Sequence, residues 1–367
     1  RWPSVAPRPG CASFPWRIPR VPERRPGGSL KRALLRKGKI AYSAVAYVIP
    51  LVILSGCYLL NFGSLVRVGL SFAAVLMFLL LALRDGVGWD FANYVAELKA
   101  GGYEQWEILP RAFGAWAMAL GSTQLFFVVV AAVTVLNVSA VSYQARTVVP
   151  LLGFLTLPVF FFEAISVMRQ ALALSFSVAA YFYFRRGCTK GVIVASAFAI
   201  ASHTSALLFT VVLLVLRRVG AAGALAMVLG AALSAIILPL LFPYLTEIFP
   251  VLAFYQAGAS FGVTSIVFWA AWFVVFLDKN EDRIGYAIVL SGILMSVALM
   301  NFDSVLLRVT WYFYIPLLFL RYERVFGVFK VQKILVLFAF WCVFGLSLYY
   351  KSVLAVGPAL PYRSILW

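Results

Sequence analysis

The sequence predicts an all-α polytopic bundle of about 11 to 12 membrane segments, each needing about 20 mostly apolar residues. Three observations predict it. Hydrophobic residues fill 63% of the 367 positions and charged residues only 12%, where a soluble domain carries about 25% charged. The mean hydropathy is +0.96. The apolar runs are continuous rather than alternating, the pattern of helices and not of a closed barrel. A water-soluble enzyme is excluded before any motif is read.

Residues 1–39 stand apart. Eleven of the 31 basic residues fall there, in sequence rich in Pro, Arg and Gly with no apolar core. Such a segment is not a secretory signal peptide. The chain starts without Met, and its first Met is Met77, inside an apolar run. The leader is expected to be disordered or to lie upstream of the natural start. Residues 40–367 are expected to form a single transmembrane domain.

Apolar runs cover 40–60, 65–83, 125–143, 147–162, 171–184, 192–216, 221–241, 263–277, 284–300, 309–320 and 334–350. Two connections are polar, 242–262 and 84–111, the latter within an outer loop 84–124. The four cysteines (Cys11, Cys57, Cys188, Cys342) are scattered and support neither a zinc site nor a disulfide framework. With one histidine and no carboxylate-rich motif, no metal and no other cofactor is expected. Nor is a nucleic-acid partner.

Orientation follows from Lys and Arg in the short loops. Arg185, Arg186 and Lys190, then Arg217 and Arg218, then Arg321, Arg324, Lys330 and Lys333 form the basic clusters and are expected on the cytoplasmic side. Connection 84–111 has three bases against five acids and belongs outside. This topology puts the first residues outside, against the basic leader, which is therefore set aside. If both Arg185-Arg186 and Arg217-Arg218 are cytoplasmic, run 192–216 must turn back on itself. Half of it reaches only about 18 Å at 1.5 Å per residue. A broken or re-entrant hairpin is predicted, with its bend near Ser202, His203, Thr204 and Ser205. Such breaks are tolerated where they line a cavity or are buried in protein.

The same topology brings polar residues from separate loops to the outer face: Arg84 through Tyr94, residues 163–169, and Asn301-Phe302-Asp303 with Arg308. Arg169 and Arg308 each open an apolar helix. They either snorkel to lipid headgroups or hold a phosphate or diphosphate with a bidentate fork. His203 is the only side chain with an unperturbed pKa near neutrality. A lone His on an apolar helix is as a rule a packing residue, but its place at an enforced break makes it the candidate general base. Asp90 and Asp303 are the acidic partners of choice, each expected to pair with an arginine, to orient His203 or to bind a sugar hydroxyl. Trp89, Trp106 and Trp116 are candidate sugar platforms, or members of an interfacial aromatic belt.

Arg84-x-x-x-Gly88-x-Asp90-x-x-x-Tyr94 after an apolar span resembles the R-x-x-x-G-x-D-x-x-x-Y signature of the EpsG family, Wzy-like polymerases of exopolysaccharide, capsule and O-antigen. Further pieces follow in the family's order. Glu107-Ile108-Leu109 stands where the family opens a helix with glutamate. Arg169-Gln170-Ala171 resembles R-Q-x-[LI]-A, and His203-Thr204-Ser205-Ala206-Leu207 resembles H-x-S-A-L. Arg308 with Tyr312-Phe313 resembles a late R-x-x-x-Y-F, and Pro361-Tyr362-Arg363 the P-Y-[KR] ending. Ser202 replaces the usual Phe before His203, and Glu107 lacks the proline that commonly follows.

The resemblance implies a bacterial inner-membrane glycosyltransferase. It would join undecaprenyl-diphosphate-linked repeat units at the periplasmic face, transferring a lipid-linked oligosaccharide donor onto a sugar hydroxyl of a lipid-linked acceptor. His203, Asp90 and Asp303 would be catalytic. Arg84, Arg169, Arg308, Tyr94, Glu107, Gln170 and Tyr312 would bind substrate. A flippase and a chain-length regulator of the same pathway would be its partners beside membrane lipid. A lipid-linked-glycan flippase or transporter and an O-antigen ligase-like transferase are the rival readings.

Overall fold

The computed structural model describes residues 46–60, 63–88, 90–157, 159–248, 282–299, 308–319 and 330–353. They are helical, with no strand among them. The first helices are α1 (Ala46–Leu59), α2 (Ser64–Ala82), α3 (Phe91–Ala100), α4 (Ile108–Ala119) and α5 (Thr123–Ala145). Then come α6 (Val149–Thr156), α7 (Phe161–Ser166), α8 (Met168–Arg185), α9 (Thr189–Ser202), α10 (Ala206–Val219) and α11 (Ala221–Ile248). Arg283–Ala298 is α12, Arg308–Phe319 is a 3-10 helix, and Lys330–Val353 is α13. In α2, α5 and the Ala221–Leu238 part of α11, three helices are long and apolar enough to cross a membrane. The predicted run 263–277 lies outside the described residues, as do Asp303, Trp89 and the Pro361-Tyr362-Arg363 motif.

Many of these stretches are poor helix formers by local preference. In α5 the sequence Phe126-Phe127-Val128-Val129-Val130 would suit a strand. In lipid, however, every backbone donor and acceptor must be satisfied within the segment, and the helix does that.

Two expectations are corrected. Run 147–162 is not one span but two short helices, α6 and α7, broken at Leu157. Leu157 is extended (φ −76°, ψ 127°), and it precedes Pro158, a position that disfavours helical backbone. Connection 84–124 is not an open loop. It folds into α3, a 3-10 turn at Gly102–Gln105, and α4.

Central α8 packs against α5, α9 and the 3-10 helix, and is buried almost all round. Its Ala171, Ala173, Ser175, Ser177 and Ala180 let neighbouring backbones approach closely. Side-chain bonds sort the element ends into two poles. At one, Gln124 donates to the Ala82 carbonyl, Arg169 pairs with Glu107, and Gln170 Nε2 donates to the Arg308 carbonyl at 2.7 Å. At the other, Tyr143 donates to the Arg67 carbonyl (2.8 Å) and Arg186 to the Gln144 carbonyl (2.7 Å). Arg185 there donates to the Phe319 carbonyl at 2.8 Å and pairs with Asp282 at 3.3 Å.

The predicted turn-back at His203 is present as a helix break. Helices α9 and α10 are 14 residues each, and His203 between them is extended (φ −161°, ψ 127°). Arg217 Nε, near the end of α10, returns to Thr189 Oγ1 at the start of α9, 2.9 Å away. The two arms form a hairpin with its apex at the pole opposite the Arg185–Arg217 basic cluster.

Candidate functional site

The site is assembled from four helix ends. Helix α4 begins after Glu107, α8 begins one residue before Arg169, the α9–α10 apex supplies His203 and Ser205, and the 3-10 helix begins at Arg308 and carries Tyr312. Helix ends are where a polar side chain can leave an apolar bundle without being buried unpaired.

Glu107 is the hub. Its Oε2 lies 3.1 Å from Arg169 Nη1, and its Oε1 lies 3.7 Å from His203 Nδ1. The three side chains keep 15%, 27% and 24% of their surface respectively, so the cluster is enclosed yet reachable. The same ring nitrogen is held by Ser205. Ser205 donates its backbone N–H to Nδ1 at 3.2 Å, and its hydroxyl lies 2.9 Å from the same nitrogen. The Ser205 hydroxyl also lies 2.9 Å from the Tyr312 hydroxyl, at a fully buried ring. The charges of Arg169 and Arg308 both act on the imidazole, and Glu107 acts on Tyr312. Arg169, Glu107, His203, Ser205, Tyr312 and Arg308 thus form one constellation, with Gln170 bonded to the Arg308 backbone.

Arg169 rests on an aromatic floor. Its Cζ is 5.3 Å from the Trp106 ring centre and 5.9 Å from that of Tyr94, and the Tyr94 hydroxyl accepts a hydrogen bond from it. Trp106 is 5% exposed and donates its indole N–H to Glu97. It is therefore a seat for a guanidinium rather than a sugar platform, and Trp116 on α4 is the exposed indole. Tyr94 belongs to α3, outside the spans. Burial pushes its hydroxyl above the ordinary range, and the Arg169 charge offsets only part of that, so it stays a neutral phenol.

Arg84 and Asp90 serve the periphery. Arg84 has no exposed surface. Its guanidinium lies 5.9 and 5.2 Å from the Phe91 and Phe127 ring centres. It donates to the carbonyls of Ala164 (3.2 Å) and Ile165, in α7, which leads into α8. Gly88, at φ +99°, packs its Cα against the same Ile165 carbonyl, where any Cβ would collide. Asp90 occupies the N-cap position of α3, its carbonyl accepting from Tyr94 N at 2.9 Å. The carboxylate set beside His203 is Glu107; Asp90 stands at this cap, and Asp303 lies outside the described residues. Ser205 is the member sequence reasoning left out of the site, although it sits in the quoted His203-Thr204-Ser205 motif, and Trp106, expected as a sugar platform, instead seats Arg169. Among the described residues no group of three His, Cys, Asp or Glu could hold a metal ion.

Among the described residues the chain is an all-helical protein with apolar helices long enough to span a membrane, and arginines, a carboxylate and an imidazole meet at one pole. The EpsG family model matches residues 68–364, and the chain belongs to that family. Membership aligns it with Wzy-like polymerases of polysaccharide biosynthesis and with lipid-linked sugars as substrates. No curated protein and no solved structure matches the chain.

Proposed function

We propose that the chain is a polysaccharide polymerase of the bacterial inner membrane. It transfers an undecaprenyl-diphosphate-linked glycan onto a sugar hydroxyl of a second lipid-linked repeat, on the periplasmic side. The observation that carries this reading is the Arg169–Glu107–His203–Tyr312–Arg308 constellation, at the pole opposite the basic helix ends. Basic ends belong to the cytoplasmic side, so the constellation faces out.

A lipid diphosphate is already a good leaving group. Arg169 and Arg308 neutralise the charge that builds on it as the anomeric bond breaks, in a site shielded from bulk water. The His203–Glu107 pair handles the proton of the attacking hydroxyl. Tyr94 and Trp106 hold Arg169 in register, and Arg84 and Gly88 brace α7, the short helix just before it. A flippase would need charges along a path through the bilayer, whereas these are gathered at one end.

The test is reconstitution with a synthetic lipid-diphosphate repeat. A ladder of extended lipid-linked products is expected. A single transfer to a different anchor would make the chain a ligase, and no product at all would overturn the reading.

A further inference from the structure

We propose that Glu107 is the residue that receives the acceptor's hydroxyl proton, while His203 is held as the Nε2–H tautomer and acts as a hydrogen-bond donor. This rests on the polymerase reading above and assigns roles within that site.

The helix break supplies the reason. At the N-terminus of α10 the backbone donors lack intrahelical partners, and a side-chain acceptor normally meets one of them. Here the acceptor is an imidazole: Ser205 N–H points at His203 Nδ1, 3.2 Å away. A backbone hydrogen cannot rotate away as a hydroxyl hydrogen can. The nitrogen that accepts it must offer a lone pair, so Nδ1 carries no proton. A neutral imidazole has one N–H, which must then be at Nε2.

Both nitrogens are thereby withdrawn from proton acceptance. Nε2 already bears a hydrogen. Protonating Nδ1 would set an N–H against the Ser205 N–H and lose that hydrogen bond at the helix break. Glu107 has no such restriction. Its Oε2 pairs with Arg169, while its Oε1 stands 3.7 Å from His203 Nδ1, beyond hydrogen-bond reach; an ionised carboxylate has about four lone-pair sites, so acceptor capacity remains. Arg169 is also one of the two arginines assigned to the donor diphosphate. As the diphosphate draws Arg169 toward itself, the Glu107 carboxylate loses its counter-charge and becomes a better base, so that donor binding prepares proton removal.

Protons and electron pairs balance in the transfer. The acceptor hydroxyl proton passes to Glu107 as its oxygen forms the bond to the donor's anomeric carbon. The anomeric C–O bond to phosphate breaks, and its electron pair leaves on the lipid diphosphate, which Arg169, Arg308 and the His203 Nε2–H stabilise. Glu107 later returns its proton to water.

The chain has a single histidine, so 15N-histidine labelling of the whole protein in nanodiscs gives one imidazole. At neutral pH the expected spectrum is that of the Nε2–H tautomer. An Nδ1–H tautomer or an imidazolium would overturn the proposal. In the reconstituted ladder assay, Glu107→Gln should lose about 10²–10⁴-fold in chain extension, the usual worth of a general base. It should bind undecaprenyl diphosphate at least as tightly as wild type, because Arg169 is released. His203→Gln, which keeps an N–H donor, should lose no more than about tenfold, and His203→Ala more. A loss in His203→Gln as deep as that in Glu107→Gln would return the base to His203, and lost diphosphate binding in Glu107→Gln would make the carboxylate a scaffold. Wild type that binds donor but never extends it would sink the polymerase reading instead, with the tautomer assignment standing on the spectrum alone.

Discussion

Arg169 is held by three partners that a lysine could not satisfy together: the Glu107 carboxylate, the Tyr94 hydroxyl and the Trp106 ring. A guanidinium can fork and stack at once, whereas an ammonium is a point charge. Arg169→Lys and Arg308→Lys are expected to lower chain extension about 10²-fold, the scale of losing one well-placed donor to a developing anion. Protein levels should hold; the ladder assay measures extension, and an immunoblot of the membranes measures protein. Gly88→Ala is a different failure. It forces a Cβ against the Ile165 carbonyl at a positive φ, so folded yield and the thermal midpoint in detergent should both fall. At this scale the charged members of the site were legible in the sequence, because a lone Arg or His in apolar surroundings has few places to go. Which acid faces His203 was not. Asp90 and Asp303 looked suitable by residue type, but the fold of α3 and α4 decides that Glu107 arrives there.

The 3-10 helix Arg308–Phe319 shows how one element matches another. Gln170 and Arg185 of α8 hold its two end carbonyls. Between those residues α8 rises about 22 Å at 1.5 Å per residue. The 3-10 helix covers about the same length with fewer residues, at roughly 2.0 Å per residue. An ordinary α-helix of this sequence would fall about 6 Å short and could not keep both ties. Gln170→Ala would leave the Arg308 carbonyl without its donor, costing about 1–3 kcal/mol. The expected result is a lower thermal midpoint and reduced extension together, with Arg308 out of place. Periodicity could not reveal the 3-10 form, since a short apolar run reads alike in either helix. The α9–α10 turn-back was legible for a separate reason: two basic clusters joined by the single apolar run 192–216 must lie on one side. The break of run 147–162 needed Pro158 to be weighed above hydropathy.

Across the whole molecule the two poles differ in sign as well as chemistry. Arg67, Arg146, Arg185, Arg186, Arg217 and Arg218 end elements at one of them, with Asp282 as the acid beside Arg185. Exposed Asn93 on α3 and exposed Cys188 before α9 mark opposite poles. With Asn93→Cys, a membrane-impermeant maleimide should label residue 93 in outer-membrane-permeabilised cells and spare Cys188 until the inner membrane is opened; the reverse order would invert the topology. The distance between the poles carries one more consequence. From Arg169 to Arg185 α8 rises about 24 Å, less than the roughly 30 Å of hydrocarbon in a typical bilayer. Lipid meets the outer helices α2 and α5 rather than the enclosed α8, and these rise about 27 and 33 Å, so the ends of α8 lie short of theirs. On the polymerase reading, an isoprenoid-linked diphosphate would meet Arg169 in a recess walled by protein, so its charged headgroup need not enter oil.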